Sequence, residues 1–591
     1  MTLSTLDWSI IAGFLVISLL IGVVVSRQSG KSSADFFLSG RNMPWWLLGV
    51  SMVATTFSAD TPNLVTDLVR KEGVAGNWVW WAFLITGMMT VFIYAKLWRR
   101  SGILTDLEFY ELRYSGKEAA FLRGFRSLYL GVVFNVLIMA TVCLAAIKIG
   151  GTLLGISPMQ TLLIASVITV TYSAIGGLRG IILTDFFQFI IAMIGTIWAA
   201  VVIVNLPEVG GLEALVTHEN VIGKMNMLPD FNNTEALVTL MIIPLAVQWW
   251  AAYYPGAEPG GGGYIVQRML SAKDEKNAIG ATLFFNIAHY ALRPWPWILI
   301  ALASLIVFPN LESIQTAFPD IDPGIIDDDL AYSAMLTYLP QGLLGIVIAS
   351  LVAAFMSTIS THLNWGSSYI VNDFYKRFVN PDVSEKKMVL IGRLSTILLM
   401  IFAAFVALRL QNAKEAFDII VLMGAGTGLL FILRWFWWRI NAYSEIAAMV
   451  ISLAVAIIFK FVLPEEYALD GHIELLLSVA ITTVGWVVVT FLTPPVDRET
   501  LFSFYNLIKP HSNGWKPIIA EGIAAEKINP DEVTTGKLPQ ELTGMFAGIF
   551  LVYGVLFTTG LFLYGRTTNA LIGVVISIVA GVMLWRSWKK V

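Results

Sequence analysis

Residues 253–263 read Tyr253-Tyr254-Pro255-Gly256-Ala257-Glu258-Pro259-Gly260-Gly261-Gly262-Gly263, inside a stretch, 236–269, that is otherwise apolar enough to cross a bilayer. Two prolines and five glycines cannot continue a regular helix there. Proline removes a backbone donor, and glycine loses the most backbone entropy. A second interruption lies earlier. The apolar stretch 44–70 carries Thr55-Thr56-Phe57-Ser58-Ala59-Asp60-Thr61-Pro62-Asn63, which is polar at its middle. Irregular backbone at membrane depth is tolerated only where it is buried in protein or lines a wet cavity. One break alone reads as a kink. Two breaks five spans apart are the mark of an inverted-repeat transporter whose site lies at the midplane between them. The expected repeats are 44–206 and 236–438, five helices each.

Composition agrees. Of 591 residues, 57% are hydrophobic and 13% charged, against about 45–50% and ~25% in soluble domains. The mean hydropathy is +0.73. The net charge of −3 carries no basic excess for nucleic acid, and the single Cys143 excludes a disulfide framework. The histidines show no metal-ligand spacing, no His-Glu-x-x-His occurs, and no phosphate-binding Gly-x-x-x-x-Gly-Lys-Ser/Thr run occurs. A membrane enzyme, or a transporter-like channel or sensor, is the alternative reading. The first lacks an acid/base or metal constellation, and the sensor lacks a signalling domain.

Stretches of roughly 20 apolar residues fall at 7–26, 44–70, 76–98, 122–150, 157–175, 184–206, 236–269, 276–308, 331–375, 388–410, 415–438, 441–463, 472–492, 542–565 and 568–586, fifteen spans in all. The first has neither the basic start nor the small-residue end of a cleaved signal. Lys and Arg cluster in alternate loops, as in Arg99, Arg100, Arg113, Lys117, Arg123 and Arg126, and again in Lys376, Arg377, Lys386 and Lys387. The positive-inside rule then puts the N-terminus outside and the C-terminus in the cytoplasm of an inner (plasma) membrane. The expected organisation is an extra helix and loop (1–43), the first repeat (44–206), an external loop (207–235), the second repeat (236–438) and two more helices (439–492). A cytoplasmic linker lying partly on the membrane surface (493–541) and two terminal helices with a short tail (542–591) follow.

Several blocks carry a family resemblance. They are Asp35-Phe36-Phe37-Leu38-Ser39-Gly40-Arg41, Phe57-Ser58-Ala59-Asp60, Gly176-Gly177-Leu178-Arg179 with Thr184-Asp185-Phe186-Phe187-Gln188, Tyr264-Ile265-Val266-Gln267-Arg268, and Ala353-Ala354-Phe355-Met356-Ser357-Thr358. In this order and spacing, over roughly residues 7–465, the chain resembles the sodium/solute symporter family. The resemblance implies an all-α LeuT-type 5+5 inverted repeat with discontinuous first and sixth core helices. It also implies sodium-coupled import of a small organic solute by alternating access, with no further cofactor.

Sodium is a hard cation that takes oxygen ligands, and a helix offers its carbonyls only where it unwinds, as near Ala54 and Phe57. Ala354, Ser357 and Thr358 are spaced i, i+3, i+4 and share one helix face. A carbonyl and two hydroxyls from that face complete a five-oxygen shell; the alternative is that the hydroxyls merely bond back to their own helix. In the family, positions matching these five bind the coupling sodium. The position matching Asp185 lies on the inward sodium path, and in some members it forms a second sodium site with hydroxyls matching Ser360 and Thr361.

The solute is not legible. The family's sugar transporters carry polar groups where this chain has Trp80 and Thr61, so sugars, amino acids, monocarboxylates and nucleosides all stay open. Local candidates for the solute site are Asp60, Thr61, Trp80, Glu258 and Arg293, with the aromatic run Trp249, Trp250, Tyr253 and Tyr254 nearby. Asn286, His289 and Arg293 fall on one helix stripe. An intramembrane arginine is expensive and needs a partner. Asp60 or Glu258 supplies one in the structural reading, and a solute carboxylate supplies one in the functional reading.

Overall fold

The computed structural model of the chain describes residues 3–29, 32–254, 256–321, 323–410, 421–533 and 537–589. Pro255, the residues 411–420 of one expected span, and the tail residues 590–591 lie outside them. Among the described residues every extended element is a helix, and one isolated bridge pairs Met43 with Ala272. Twelve helices are long and apolar enough to cross a bilayer. Two shorter apolar helices, Trp45–Thr56 and Pro158–Ala174, end at breaks. The remaining expected span, 415–438, is helical at 421–424 and at Gly428–Leu433 among its described residues, with a turn between them. The expectation of fifteen full spans is therefore approximate, because broken helices do not present an unbroken apolar length.

Both interruptions appear as read. Helix Trp45–Thr56 stops at Phe57 (φ −84°, ψ 74°) and helix Thr61–Glu72 restarts behind Asp60 with Pro62 in its first turn, where proline's missing N–H costs nothing. Helical turns over Thr234–Ala251 give way at Ala252 to extended backbone, and Gly263–Ser271 resumes the helix. Gly260 has a φ of +77°, and a Cβ there would lie 2.5 Å from the carbonyl oxygen of Phe431. Only glycine permits that turn and that approach. The two broken helices are tied together where the first begins and the second ends. Met43 N–H donates to Ser271 O (3.2 Å) and Lys273 N–H to Met43 O (3.1 Å).

The polar helix Leu343–Ser368 runs through the centre, buried along nearly its whole length. Asp7, on the first helix Thr5–Ser29, accepts from Gly342 N–H (2.7 Å) and Gly345 N–H (2.8 Å). A carboxylate there satisfies orphan amides and complements the helix dipole. The run Pro158–Val204 bends at Gly177 (φ 57°), dividing the two spans expected there. At the periphery, helix Thr567–Trp588 leaves Leu571, Ile572, Val575, Ile578 and Val579 exposed, an apolar face that suits lipid. It pairs with Leu538–Leu563, where Gly560 admits the Trp295 ring; a Cβ would sit 2.1 Å from it.

The segment 493–541 differs from the expected surface linker. Helices Arg498–Ile508 and Lys516–Ala524 pack onto the protein through buried Leu501, Phe504, Trp515 and Ile518. The buried Arg113 guanidinium lies over the Phe504 ring (5.3 Å) and the Trp515 ring (4.9 Å), contacts worth roughly 1–2 kcal/mol each when desolvated. Trp515 Nε1–H donates to Trp435 O (2.9 Å). Their apolar anchors are scattered among polar residues and form no span-length signal, so the sequence pattern conceals this cap.

Candidate functional site

The first break meets the central helix where the sequence placed the coupling ion. Ala54, Phe57, Ala354 and Ser357 line one crevice with Gln188, Phe189, Ala192 and Ala353, and Thr358 adjoins it on the same helix face. All five expected ligands are buried. At the helix end the Thr55 carbonyl faces Leu343–Ser368. Phe57 N–H bonds to both Val53 O (2.8 Å) and Ala54 O (3.2 Å), and Thr55 O accepts from Thr358 Oγ1 (2.7 Å). Ser357 Oγ donates to Asp185 Oδ1 (2.6 Å) rather than back to its own helix. A hydroxyl that donates in this way keeps lone pairs for a cation.

Asp185 is fully buried and also accepts from Ser51 Oγ (2.5 Å). Thr361 Oγ1 bonds to Thr55 Oγ1 (2.9 Å). The residue between Asp185 and Thr361 is Arg268. Its Nη2 donates to Thr361 Oγ1 (2.6 Å) and stands 3.9 Å from Asp185 Oδ2, and its Nε lies 3.3 Å from Ser51 Oγ. Ser360 Oγ turns back to Ser357 O (3.1 Å) and not toward Asp185. The second expected trio is thus only partly gathered, with a guanidinium in its midst. Arg268 closes the motif Tyr264-Ile265-Val266-Gln267-Arg268, and its place beside Asp185 is not among the expected site residues. The signal was there, because an arginine at membrane depth needs an acid. Gln188, of the Thr184–Gln188 block, lines the crevice with an amide that has no hydrogen-bond partner.

Beside the break lies a cavity of about 130 Å³. Asp60, Thr61, Trp80 and Arg293 line it, together with Thr55, Thr56, Thr358 and His289. Its aromatic walls are stacked pairs: Phe83 on Tyr254 (5.3 Å, 13°) and Trp80 on Tyr290 (5.8 Å, 23°). Trp80 Nε1–H is held by Asn77 Oδ1 (2.8 Å), which fixes the indole plane. Glu258 stands apart. It is buried against the far side of the second break, where a Cβ on Gly263 would lie 2.6 Å from its Oε1. It does not line the cavity and makes no ion pair with Arg293. Asp106 lies on that same far side and accepts from Gly263 N–H (2.9 Å); burial raises its carboxyl above the usual range.

Comparison with known proteins agrees with this architecture. Residues 36–452 match the sodium:solute symporter family. The chain is 28% identical over 479 residues to a sodium/glucose cotransporter of Vibrio parahaemolyticus, covering 78% of this chain and 86% of the relative. It is 24% identical over 475 residues to the sodium/sialic acid symporter SiaT of Proteus mirabilis, covering 77% and 90%. Among solved structures, a Na+-coupled sialic acid symporter in a substrate-bound, outward-open state superposes with a TM-score of 0.68 at 21% identity, covering 84% of this chain and 99% of that one. That likeness establishes the fold, a LeuT-type helical bundle. The chain belongs to the sodium:solute symporter family and is a sodium-coupled membrane symporter of a small solute, not an enzyme.

Proposed function

We propose that the coupling sodium is held by the carbonyls of Ala54, Phe57 and Ala354 and the hydroxyls of Ser357 and Thr358, and that the solute occupies the adjoining cavity beside Asp60, Thr61, Trp80 and Arg293. The single observation that carries this reading is Thr358, which both lines the cavity and bonds the carbonyl of Thr55 in the break. An ion drawing Thr358 and the broken helix together therefore reshapes a cavity wall. Coupling requires that ion and solute favour the same conformation over its alternative, not merely that each binds tightly.

Asp185 with Thr361 and Ser360 forms the second sodium position on the inward path, reached when Arg268 yields the carboxylate. The segments 44–206 and 236–438 act as the two repeats that rock against each other. The N-terminus faces outward and the C-terminus the cytoplasm, in a plasma membrane. Glu258 braces the second break and has no direct part in holding the solute.

Uptake by the full chain in proteoliposomes tests the reading. Inward sodium gradients should drive saturable accumulation, and Thr358→Ala should shift both sodium activation and solute KM. Uptake indifferent to sodium, or to this substitution, contradicts it.

A further inference from the structure

The cavity holds a cation, Arg293, and an anion, Asp60, that feel each other's charge but form no direct ion pair. Arg293 is 2% exposed and spends its donors on neutral partners. Thr56 Oγ1 donates to the carbonyls of Met52 (3.1 Å) or Val53 (3.0 Å), so it accepts from His289 Nδ1–H (2.9 Å) and from Arg293 Nη1–H (3.3 Å). That assigns the imidazole proton to Nδ1 and leaves Nε2 to accept from Arg293 Nη2–H at 3.1 Å. The guanidinium also lies over the face of Trp297, 5.4 Å away. Arg293 Nε–H has no partner, and no acid lies within ion-pair distance of the guanidinium among the described residues. Asp60 lines the same cavity, and its Oδ1 also has no partner.

A buried arginine without an acid is costly at membrane depth, where a resident carboxylate would remove the cost in every state. Its charge is met instead by something that arrives in the cavity. The same reasoning, with the sign reversed, asks for a donor group opposite Asp60. We infer that the transported solute is a small α-amino or α-hydroxy acid, its carboxylate held by Arg293 and its amino or hydroxyl donor by Asp60. Size agrees. About 130 Å³ is close to the roughly 150 Å³ cavity that takes one benzene ring. Asp60 repels a second carboxylate, so dicarboxylates are disfavoured. The inference rests on the reading that this cavity is the solute site.

The test is a thermal-shift panel on the purified full chain in saturating sodium. The probes are L-alanine, L-serine, L-proline and L-lactate, each beside its amide, with D-glucose and D-galactose as neutral solutes and succinate as a dianion. At least one of the acids should raise Tm while its amide does not, and succinate and the hexoses should be inert. Whether the stabilising acid bears an amine or a hydroxyl identifies the donor. In uptake, Arg293→Gln should raise KM for that acid by about 10- to 100-fold, the scale of one charge-assisted contact, while Arg293→Lys retains part of the affinity. If Arg293→Gln does not fold, the acid-against-amide comparison on the unmodified chain decides alone. Stabilisation by a hexose, equal response to acid and amide, or no response to any acid overturns the inference. Sodium-driven hexose uptake that still responds to Thr358→Ala would remove the acid specificity and leave the site itself standing. Uptake that ignores Thr358→Ala would remove the site.

Discussion

Arg268 and Arg293 are both buried at membrane depth, and both reach the first broken helix, at Thr55 and Thr56 respectively. Arg268 stands 3.9 Å from the carboxylate of Asp185 and shares the Ser51 hydroxyl with it. Arg293 has a histidine, a threonine and an indole around it and no acid within ion-pair distance among the described residues. The difference separates framework from site. A charge with a resident counter-charge fastens helices together without any ligand, here the two broken helices, the Pro158–Val204 run and the central helix. A charge without one is free to take its partner from a ligand.

The largest effect should come from breaking the framework pair. Arg268→Gln leaves Asp185 buried with hydroxyls alone, a loss of about 3–5 kcal/mol for a buried pair stripped of one member. Thermal unfolding of the detergent-purified variant should show it, and adding Asp185→Asn should restore most of the loss. A single variant as stable as the unmodified chain would end the contrast between the two arginines.

Next come the proposed sodium ligands between them. Ser357→Ala and Thr358→Ala should each raise the sodium concentration for half-maximal uptake by roughly ten-fold or more, the scale of losing a bond to a charge. Ser357→Ala should spare solute KM at saturating sodium, because Ser357 lies outside the cavity lining. Equal shifts in sodium and solute dependence for Ser357→Ala would mean that the ion crevice and the cavity are one site.

A third measurement sharpens the role of Asp185. Reversal potentials in proteoliposomes count ions per solute, and Asp185→Asn should lower that count while Ser357 and Thr358 still confer sodium dependence. An unchanged count would confine Asp185 to framework duty with Arg268.

The smallest effects should lie around Arg293 and beyond it. His289→Phe removes one neutral partner, and a change of about three- to ten-fold in solute KM is expected from one neutral hydrogen bond, with sodium activation unmoved. Glu258→Gln should change solute KM least of all these variants. A Glu258 effect on KM rivalling that of Arg293 would move the acid back into the solute site.

The positions of the two breaks were legible because their causes are local. Pro62 cannot carry a helix on from Thr56, Pro259 and the glycines 260–262 cannot carry one on from Ala251, and the apolar runs between the breaks give the spans by length alone. The proposed ion ligands rest on a related argument. Ala354, Ser357 and Thr358 share a face by helical spacing, and the break near Ala54 and Phe57 frees carbonyls by its own geometry. Only the tertiary structure decided which charges meet. Arg268 reaches Asp185, Arg293 forms an ion pair with neither Asp60 nor Glu258, Glu258 turns to the far side of its break, and Phe504 and Trp515 of the 493–541 segment pack over Arg113. Backbone rules act within a few residues, whereas the partner of a buried charge depends on which helices pack side by side. That is settled by contacts between elements far apart in the chain.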